Sequence, residues 1–565
     1  MALGASSAST SAASVRRPAV APVLDGQRRA CTATRNRRSW QSLALAGGAA
    51  PPVAPAIPEL SPSLAHDAGR RRFGQVGSSG LERFPAELLR AAPGAGEGYD
   101  IPTSFPELPE LTVADYSQVA LPNGLTVFLM EDHEVPMIYG SLLLRGGAQA
   151  DPPDQSGLAS VVASVQRNGG TARLPGPDLD LALEELGASI EVSAGLKTIS
   201  IGFSSLAEDA PQTLGLVSEV IRDPLLPQSE LDKARASGLN AIAHRYDSAS
   251  AVPRRKLQEL LYGASSPLAR QTSVESLSSI TREDLLGFMS TWQRPDTAVI
   301  GIAGDFDSAE MRAVVEAAFQ DWTPQDGSEP QDLPALEDGA LEGEASTAAA
   351  GRVYLVDKPG EEEAAVMMAE PGVALEDPDT PALDILGEIL NGFGGRLFDK
   401  VRSQDGLTYS VSGGWEAPPT YKGLFTAGGN TAKPAQLVAA VQAVLEELLN
   451  APPSEEEIAQ AKQSAANSFV FQFSSKQQQL GRILVYSVLG LPEDYLVQYQ
   501  SKLEAVSASD LLAATRRHLH PKEQTVVVVG DAARLEEQLR GLPDRPLERL
   551  PLRPLGVDEK TKGIV

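Results

Sequence analysis

The hydrophobic and polar positions of this chain follow one pattern that occurs twice, at an offset of 226 or 227 residues. The stretch Arg294–Asp305, which contains the apolar run Val-Ile-Gly-Ile-Ala, returns as His520–Asp531 with four consecutive valines. The segment Asp223–Ala234, which leads into a helical pattern, returns as Asn450–Ala461. A fixed period of this length indicates a duplicated structural unit.

Each copy predicts the same order of elements. The order is an entry strand, a helix, a pair of strands, a long helix, a helix opened by Ser, Pro and Glu, further helices and a closing β-branched strand. Ser229 and Ser454 are each followed by acids on the first turn of the predicted helix, where free backbone amides favour negative charge. The predicted fold class is therefore α+β, with two homologous duplicated domains, each an antiparallel sheet packed with helices.

The segment between the two copies has the composition of a linker. Trp322–Gly351 is rich in Pro, Gly, Ala and acids and has no apolar period, which is typical of a solvated segment. We therefore expect a leader at residues 1–95, an N-terminal domain at 112–322, an acidic linker at 323–351, a C-terminal domain at 352–545 and a tail at 546–565.

Charge divides the chain unevenly. Residues 1–80 hold ten arginines, no lysine and three acids, for a net charge of +7, whereas the whole chain carries −26, so the remainder carries −33. An arginine-, serine- and alanine-rich start predicts an organelle transit peptide. We expect import into a chloroplast, with the mitochondrion as the alternative. Within the plastid, Arg37 and Arg38 before the short apolar run Ser42–Ala50 leave both the stroma and the thylakoid lumen open, and that run is too short to span a membrane.

The composition also excludes several classes of function. A body this acidic argues against nucleic-acid binding, which needs a basic surface to neutralise phosphates. Solubility accounts for the acidity, and a preference for basic peptides is the sharper alternative. Cys31 is the single cysteine and lies in the predicted leader, so we expect no disulfide, thiolate nucleophile or Cys-ligated zinc in the mature chain. The five histidines have no helical i, i+4 spacing and are expected to be surface or capping residues: His66, His133, His244, His518 and His520.

Three segments in the first copy occur in an informative order: Leu121–Leu129, then Arg145–Asp151, then a Gly-Leu-Ala frame that begins at Gly157. This order resembles the insulinase-like, or pitrilysin-type, zinc metallopeptidases. In that family the helix carries an inverted H-x-x-E-H motif, whose histidines bind zinc and whose glutamate activates the attacking water.

The resemblance places the motif on residues that cannot perform this chemistry. The family's two histidines and glutamate correspond to Ser160, Ser164 and Ala163, and its third ligand, a glutamate on a later helix, falls near Ala241. We therefore expect no catalytic residue and no metal ligand on this chain. Ser160 and Ser164 share a helical face, but no lysine or histidine lies nearby in sequence to activate them as nucleophiles.

A second motif in the later copy is complete. The segment Leu390–Val411 resembles the family's Arg/Tyr element, in which an arginine and a tyrosine seven residues later reach towards zinc-bound substrate. The resemblance implies that Arg402 orients the peptide and that Tyr409 hydrogen-bonds the carbonyl as it becomes an oxyanion. Without the motif, Arg402 would be interpreted as the ion-pair partner of Asp399 or Asp405, and Tyr409 as a buried strand residue.

The resemblance implies a zinc-less subunit of a two-subunit peptidase. Its two domains would form half of a clam-like chamber and would supply the substrate-binding arginine and tyrosine. Zinc is expected on the partner, an insulinase-like subunit in a heterodimer that hydrolyses peptides or targeting sequences. The alternative is a non-enzymatic structural or peptide-binding scaffold in an organelle complex.

Overall fold

The computed structural model describes residues 113–324, 329–336, 341, 343–392, 394–471, 473–492 and 495–553. The predicted leader at 1–95 and the end of the predicted tail, from 554 onward, lie outside the described residues. No helix in the described ranges combines the length and apolarity that crossing a membrane requires.

The first half is built on a six-stranded mixed sheet. Its strand order is β1-β2-β6-β3-β5-β4, and the pair β2 and β6 is parallel while the other neighbours are antiparallel. β6 enters the middle of the sheet after a long helical excursion, which is the kind of connection that parallel neighbours need. The strands are β1 (Ser117–Ala120), β2 (Thr126–Glu131), β3 (Met137–Arg145), β4 (Ser189–Ala194), β5 (Thr198–Leu206) and β6 (Ala298–Gly304).

The second half repeats this sheet in the equivalent order β12-β7-β11-β8-β10-β9. The closing strand β11 again lies parallel to the entry strand β7, and β12 adds a second parallel neighbour at that edge. The strands are β7 (Val353–Asp357), β8 (Ala364–Pro371), β9 (Val411–Trp415), β10 (Leu424–Thr431), β11 (Thr525–Gly530) and β12 (Leu547–Leu550).

Helices fill the connections in both halves. The first half contains α1 (Leu158–Gly169), α2 (Gly176–Leu186), α3 (Ala210–Arg222), α4 (Gln228–His244), α5 (Val252–Tyr262), α6 (Val274–Ser279), α7 (Arg282–Trp292) and α8 (Ser308–Phe319). The remainder contains α9 (Glu344–Ala349), α10 (Thr380–Leu390), a π-helix (Phe398–Gln404), α11 (Pro434–Asn450), α12 (Glu455–Phe471), α13 (Lys476–Leu489), α14 (Tyr495–Ala505), α15 (Ala508–His518) and α16 (Ala532–Arg540).

The structure confirms the α+β fold with two homologous halves. α7 and α15 begin and end 226 residues apart, and both open with a capping box, from Thr281 in one and Ser507 in the other. The first half begins with three strands and the second half with two, rather than with the single entry strand expected. The last of these strands in each half, β3 or β8, lies in the middle of its sheet, where both faces are covered and the alternation of polar residues that marks a half-exposed strand is lost.

Two of the expected boundaries differ from the structure. The segment predicted as a linker, 323–351, contains α9, and its residues Leu341 and Ala349 are buried beside α5. The same segment contacts the first half, where Gln149 Nε2 donates to the carbonyl of Pro334 at 2.6 Å. The segment predicted as a tail, 546–565, contributes β12, which pairs with β7. Both elements are short, so their formation depends on tertiary contacts that a local pattern does not show.

Each half covers one face of its sheet with its own helices and the other face with a helix from the other half. α13 of the second half packs on β6 and β3 of the first sheet, where its Leu480 and Leu484 join Phe128 and Val299 in one core. Its counterpart α5 packs on β11 and β8 of the second sheet. Each half therefore places one helix on the sheet of the other half, and we call this the reciprocal exchange of α5 and α13.

A glycine in β6 permits the closest part of this packing. A Cβ atom on Gly301 would lie 2.7 Å from Cδ1 of Leu484, closer than real carbon contacts allow. The bare backbone at this position therefore lets α13 seat its leucines directly on the sheet.

We predict that Leu484→Ala lowers the free energy of unfolding by about 2–5 kcal/mol, because the 1% exposed side chain would leave a cavity between the halves. The measurement is urea unfolding followed by circular dichroism. Leu181→Ala, at a 55% exposed position on α2, is the control and should change stability by less than about 0.5 kcal/mol. Equal effects of the two substitutions would show that α13 does not hold the halves together.

Candidate functional site

A buried carboxylate fixes the start of α1. Gly157 precedes the helix in the left-handed conformation, with φ of 103°, and a Cβ there would lie 2.8 Å from Cγ2 of Thr272. The carboxylate of Asp151 accepts the backbone N–H of Gly157 at 2.7 Å and of Ala159 at 2.8 Å, so it satisfies amides that the helix leaves free. Burial raises the pKa of Asp151 to about 6, although these amides oppose the shift. Asp151 therefore sets the position of α1.

The four positions that correspond to the zinc site lie on two helices that pack against each other, α1 and α4. Ser160 and Ala241 are exposed, Ser164 is half-buried and Ala163 is buried. Asn168 Nδ2 donates to Ser164 Oγ at 3.4 Å, and within the described residues neither serine contacts a lysine or histidine. The helices have the pairing that the resemblance implies, and the side chains at these four positions offer no carboxylate, imidazole or thiolate as a metal ligand.

The Arg/Tyr element lies at the start of β9, at one edge of the second sheet. The guanidinium carbon of Arg402 lies 4.6 Å from the ring centroid of Phe398 and 4.5 Å from that of Tyr409. Lys400 forms an ion pair with the carboxylate of Asp405 at 3.1 Å. The side chain of Tyr409 is 82% exposed. The interpretation of Tyr409 as a core residue is therefore wrong, and Asp405 pairs with the lysine rather than with Arg402.

A glycine-rich turn precedes the element and is tied to β9 by Asn391. The side-chain amide of Asn391 donates to the carbonyl of Gly413 at 2.7 Å, and its oxygen accepts the N–H of Gly413 at 3.0 Å. Gly392 and Gly394 have φ values of 78° and 91°, and a Cβ on Gly395 would overlap the carbonyl of Asn391. The three glycines therefore have a structural role in this turn.

An ion pair anchors the same segment to α12. Arg396 Nε donates to Glu457 at 2.8 Å and its Nη2 donates at 3.1 Å, while Glu457 also accepts the backbone N–H of Ser454 in a helix cap. The hydrogen bonds from Arg396 are the main reason that the pKa of Glu457 falls to about 2. This pair fixes the π-helix relative to the helices behind it.

The connection between α4 and α5 of the first half contacts the second sheet beside the Arg/Tyr element. Ser250 Oγ lies 3.3 Å from Oδ1 of Asn430 on β10, and Arg254 pairs with Glu416 at 2.5 Å. Asn430 follows Gly429, which pairs with Val411 two residues after Tyr409. The helix that carries Ala241 therefore leads directly into the segment that contacts this edge.

The described histidines take part in surface and capping contacts. His133 contacts Asp305, His244 contacts Asp247 and His520 contacts Glu370. Both His244 and His518 are the last residues of helices, where a positive charge is favourable.

Within the described ranges one group of three potential metal ligands has its ligand atoms within 4.8 Å of one another: Asp377, Asp379 and His518. Asp379 accepts two hydrogen bonds from the guanidinium of Arg517, so its charge is already neutralised.

Sequence reasoning missed three residues that shape this site: Asp151, Asn391 and Phe398. The spacing of Phe398, four residues before Arg402, was a usable signal because residues four apart lie on one helical face. Asp151 and Asn391 act through backbone groups that their own sequence neighbourhood does not identify.

Comparison with known families matches two models to the chain. The model described as Insulinase (Peptidase family M16) matches residues 126–272, and the one described as Peptidase M16 inactive domain matches residues 279–465. Together the two matched segments cover more than half of the chain.

Individual relatives match over most of their length. "Non-peptidase homolog YmxG" of Helicobacter pylori is 23% identical over 74% of this chain and 94% of its own length. The mitochondrial-processing peptidase subunit beta of Rattus norvegicus is 21% identical over 85% of this chain and 96% of its own length. Among solved structures, a peptidase M16 inactive domain from Pseudomonas fluorescens aligns with a TM-score of 0.63 at 23% identity, over 74% of this chain and 98% of its own.

The ion pair of Arg396 and Glu457 predicts a dependence of stability on pH. Because the pKa of Glu457 is lower in the folded state than in the unfolded state, its stabilising contribution is present above the unfolded value of about 4.5 and is lost as pH falls towards 2. The difference in urea midpoint between the wild type and Glu457→Gln should therefore become smaller as pH is lowered from 6 to 3. Glu456→Gln, on the same helical turn but exposed and outside the pair, should show a constant difference, and equal pH profiles would contradict the assignment.

The degenerate positions predict a zinc test. The native chain should carry far less than one zinc per molecule, and the combination Ser160→His, Ser164→His and Ala241→Glu should bind about one, because it restores a two-histidine, one-glutamate set on paired helices. Equilibrium dialysis with elemental analysis measures both. The control is the double variant Ser160→His and Ala241→Glu, which lacks one of the two histidines. One zinc on the native chain, or none on the triple variant, would show that the positions are misassigned.

Proposed function

The chain belongs to the insulinase family of peptidases, peptidase family M16, and we propose that it is a zinc-less subunit of a two-subunit peptidase. In this proposal a zinc-bearing member of the same family supplies the metal and the catalytic glutamate. This chain supplies Arg402, Tyr409 and half of the chamber that encloses a peptide substrate.

The observation that carries the proposal is the unequal state of the two motifs. The zinc-helix positions hold Ser160, Ala163 and Ser164, which have no metal-binding or acid–base group, while Arg402 and Tyr409 are both present and accessible. Arg402 forms no hydrogen bond or ion pair with any described residue, so its N–H donors are available to a ligand. We call Arg402 and Tyr409 the clamp. A chain that has the clamp and lacks the metal ligands fits the role of a subunit that binds a substrate together with a zinc-bearing partner.

The named relatives supply the context of a subunit. One of them is a subunit of a processing peptidase, and another is called a non-peptidase homolog. From the arginine-rich start we further propose that the protein works in a chloroplast, with the mitochondrion as the alternative, and that its substrates are peptides or targeting sequences.

The second candidate function is a non-enzymatic scaffold that is structural or binds peptides. The observation that favours it is the absence of any zinc ligand at Ser160, Ser164 and Ala241. Under this alternative the chain would be recovered alone or within a large assembly that lacks peptidase activity.

Purification of the tagged mature chain from its native organelle, with mass spectrometry of what accompanies it, separates the two functions. A stoichiometric partner whose sequence contains H-x-x-E-H supports the peptidase subunit. Recovery without such a partner overturns it in favour of the scaffold.

With the partner in hand, we predict that Arg402→Ala lowers kcat/KM of the complex at least tenfold, because one charged substrate contact is lost. The assay is cleavage of a fluorescent peptide by the reconstituted complex, with size-exclusion chromatography to confirm assembly. The matched control is Lys400→Ala, on the same π-helix and paired with Asp405 rather than poised for substrate. Unchanged cleavage by the Arg402 variant would rule out the clamp.

A further inference from the structure

The guanidinium of Arg402 is held by two aromatic faces. Its central carbon lies 4.6 Å from the ring centroid of Phe398 and 4.5 Å from that of Tyr409. Both distances lie well within the range of about 6 Å over which a cation is attracted to the face of an aromatic ring. Arg402 and Phe398 are half-buried, whereas Tyr409 is 82% exposed, so Phe398 is the more enclosed of the two rings.

Phe398 and Arg402 lie on the same π-helix. Its wider turn is seen in the hydrogen bond from the backbone N–H of Asp405 to the carbonyl of Lys400, five residues earlier, at 3.0 Å. Residues four apart lie on one face of a helix, so Phe398 and Arg402 are neighbours on this one. π-helical turns are rare and are frequently found at functional sites.

Both rings lie within cation–π distance of the guanidinium, and neither takes up an N–H donor. A cation–π contact acts along the normal of the aromatic ring, so it leaves the five N–H donors in the plane of the guanidinium able to form hydrogen bonds. No described residue accepts a hydrogen bond from Arg402, and the nearby carboxylate of Asp405 is bound by Lys400. The arginine is thus fixed in orientation without any of its donors being used.

We propose that Phe398 is a positioning residue and that, with the ring of Tyr409, it forms a slot presenting the N–H edge of Arg402 to a planar oxygen acceptor of a peptide. This inference rests on the proposed function and deepens it. It gives Tyr409 a role that depends on its ring and is separate from its hydroxyl. The acceptor is either a carboxylate, whose two oxygens match the fork of a guanidinium, or a backbone carbonyl, whose single oxygen accepts through its two lone pairs.

The first experiment measures the slot without any ligand. In the full mature chain labelled with 15N-arginine, the Nε–H signal of Arg402 is assigned by its loss in Arg402→Lys. Stacked rings should shift that signal upfield. We expect the shift to persist in Tyr409→Phe and Phe398→Tyr, to become smaller in Phe398→Leu and in Tyr409→Leu, each of which keeps one ring, and to disappear when the two leucine substitutions are combined, while thermal unfolding midpoints stay within about 2 °C. A shift that neither single leucine variant reduces overturns the slot.

The second experiment measures peptide binding by the same variants. The probe is a fluorescein-labelled peptide that copies residues 16–40 of this chain with Cys31→Ser and with Asp25→Asn, so that its C-terminus is the only carboxylate of the peptide; this arginine-rich, targeting-type sequence suits the acidic body. Fluorescence anisotropy should show Kd raised about 2- to 30-fold by Phe398→Leu and Tyr409→Leu, the range expected for one or two cation–π contacts. The rescue variant Phe398→Tyr should stay within twofold of the wild type.

Two forms of the probe identify the acceptor. Tighter binding of the free acid than of the C-terminal amide assigns a carboxylate, and equal binding assigns a carbonyl of the peptide chain. If Phe398→Leu leaves affinity unchanged while Arg402→Ala weakens it, the slot is wrong and the proposed function stands. If the wild type binds neither form, or Arg402→Ala binds as the wild type does, peptide clamping fails, and the arginine signal still decides whether the slot exists.

Discussion

The reciprocal exchange of α5 and α13 is the interaction on which the rest of this structure depends. A mixed sheet with helices on one face leaves its other face apolar, and each half covers that face on the other half with a single helix. Gly301 allows Leu484 to approach the backbone of β6, so side chains from both halves form one hydrophobic core at the interface between them. The relative placement of the degenerate helix pair and the Arg/Tyr element follows from this exchange, because the segment that leads into α5 also contacts β10 through Ser250 and Asn430.

Duplication gave both halves a version of the same helix pair, and the two versions now have different roles. In the first half, α1 and α4 present the small side chains of Ser160 and Ala241 to solvent. In the second half, the equivalent α10 carries two partly buried carboxylates. Tyr499 of α14 donates to Asp384, and Ser464 of α12 donates to Glu388 at 2.7 Å. These hydrogen bonds join α10 to α14 and α12. Burial raises the pKa of Asp384 to about 7, which makes the two carboxylates poorly suited to binding a cation.

The repeat, the fold class and the family were accessible from the sequence because they depend on long apolar patterns and on motifs of many residues. The central strands β3 and β8 were not, since a strand buried on both faces loses the alternation that identifies it. α9 and β12 were missed because each is short and is stabilised by partners distant in sequence. At the site, the motif singled out Arg402 and Tyr409, but the contact of the Arg402 guanidinium with the rings of both Phe398 and Tyr409 depends on a π-helical turn and a loop whose course local sequence does not show.

The need for a stable fold accounts for the residues at the zinc-helix positions better than it accounts for the presence of Arg402. Serine and alanine on α1 and α4 are ordinary helix-surface residues, and α1 keeps its place through the cap from Asp151 and the packing of its apolar face. Arg402 has no ion-pair partner among the described residues, and Tyr409 is almost fully exposed, so neither side chain contributes much to the folded state. A long cationic side chain that loses rotamer freedom between two rings is costly unless its free N–H edge meets a ligand. The cost of holding Arg402 in this place is therefore best accounted for by the proposed clamp, in which its N–H donors meet a peptide.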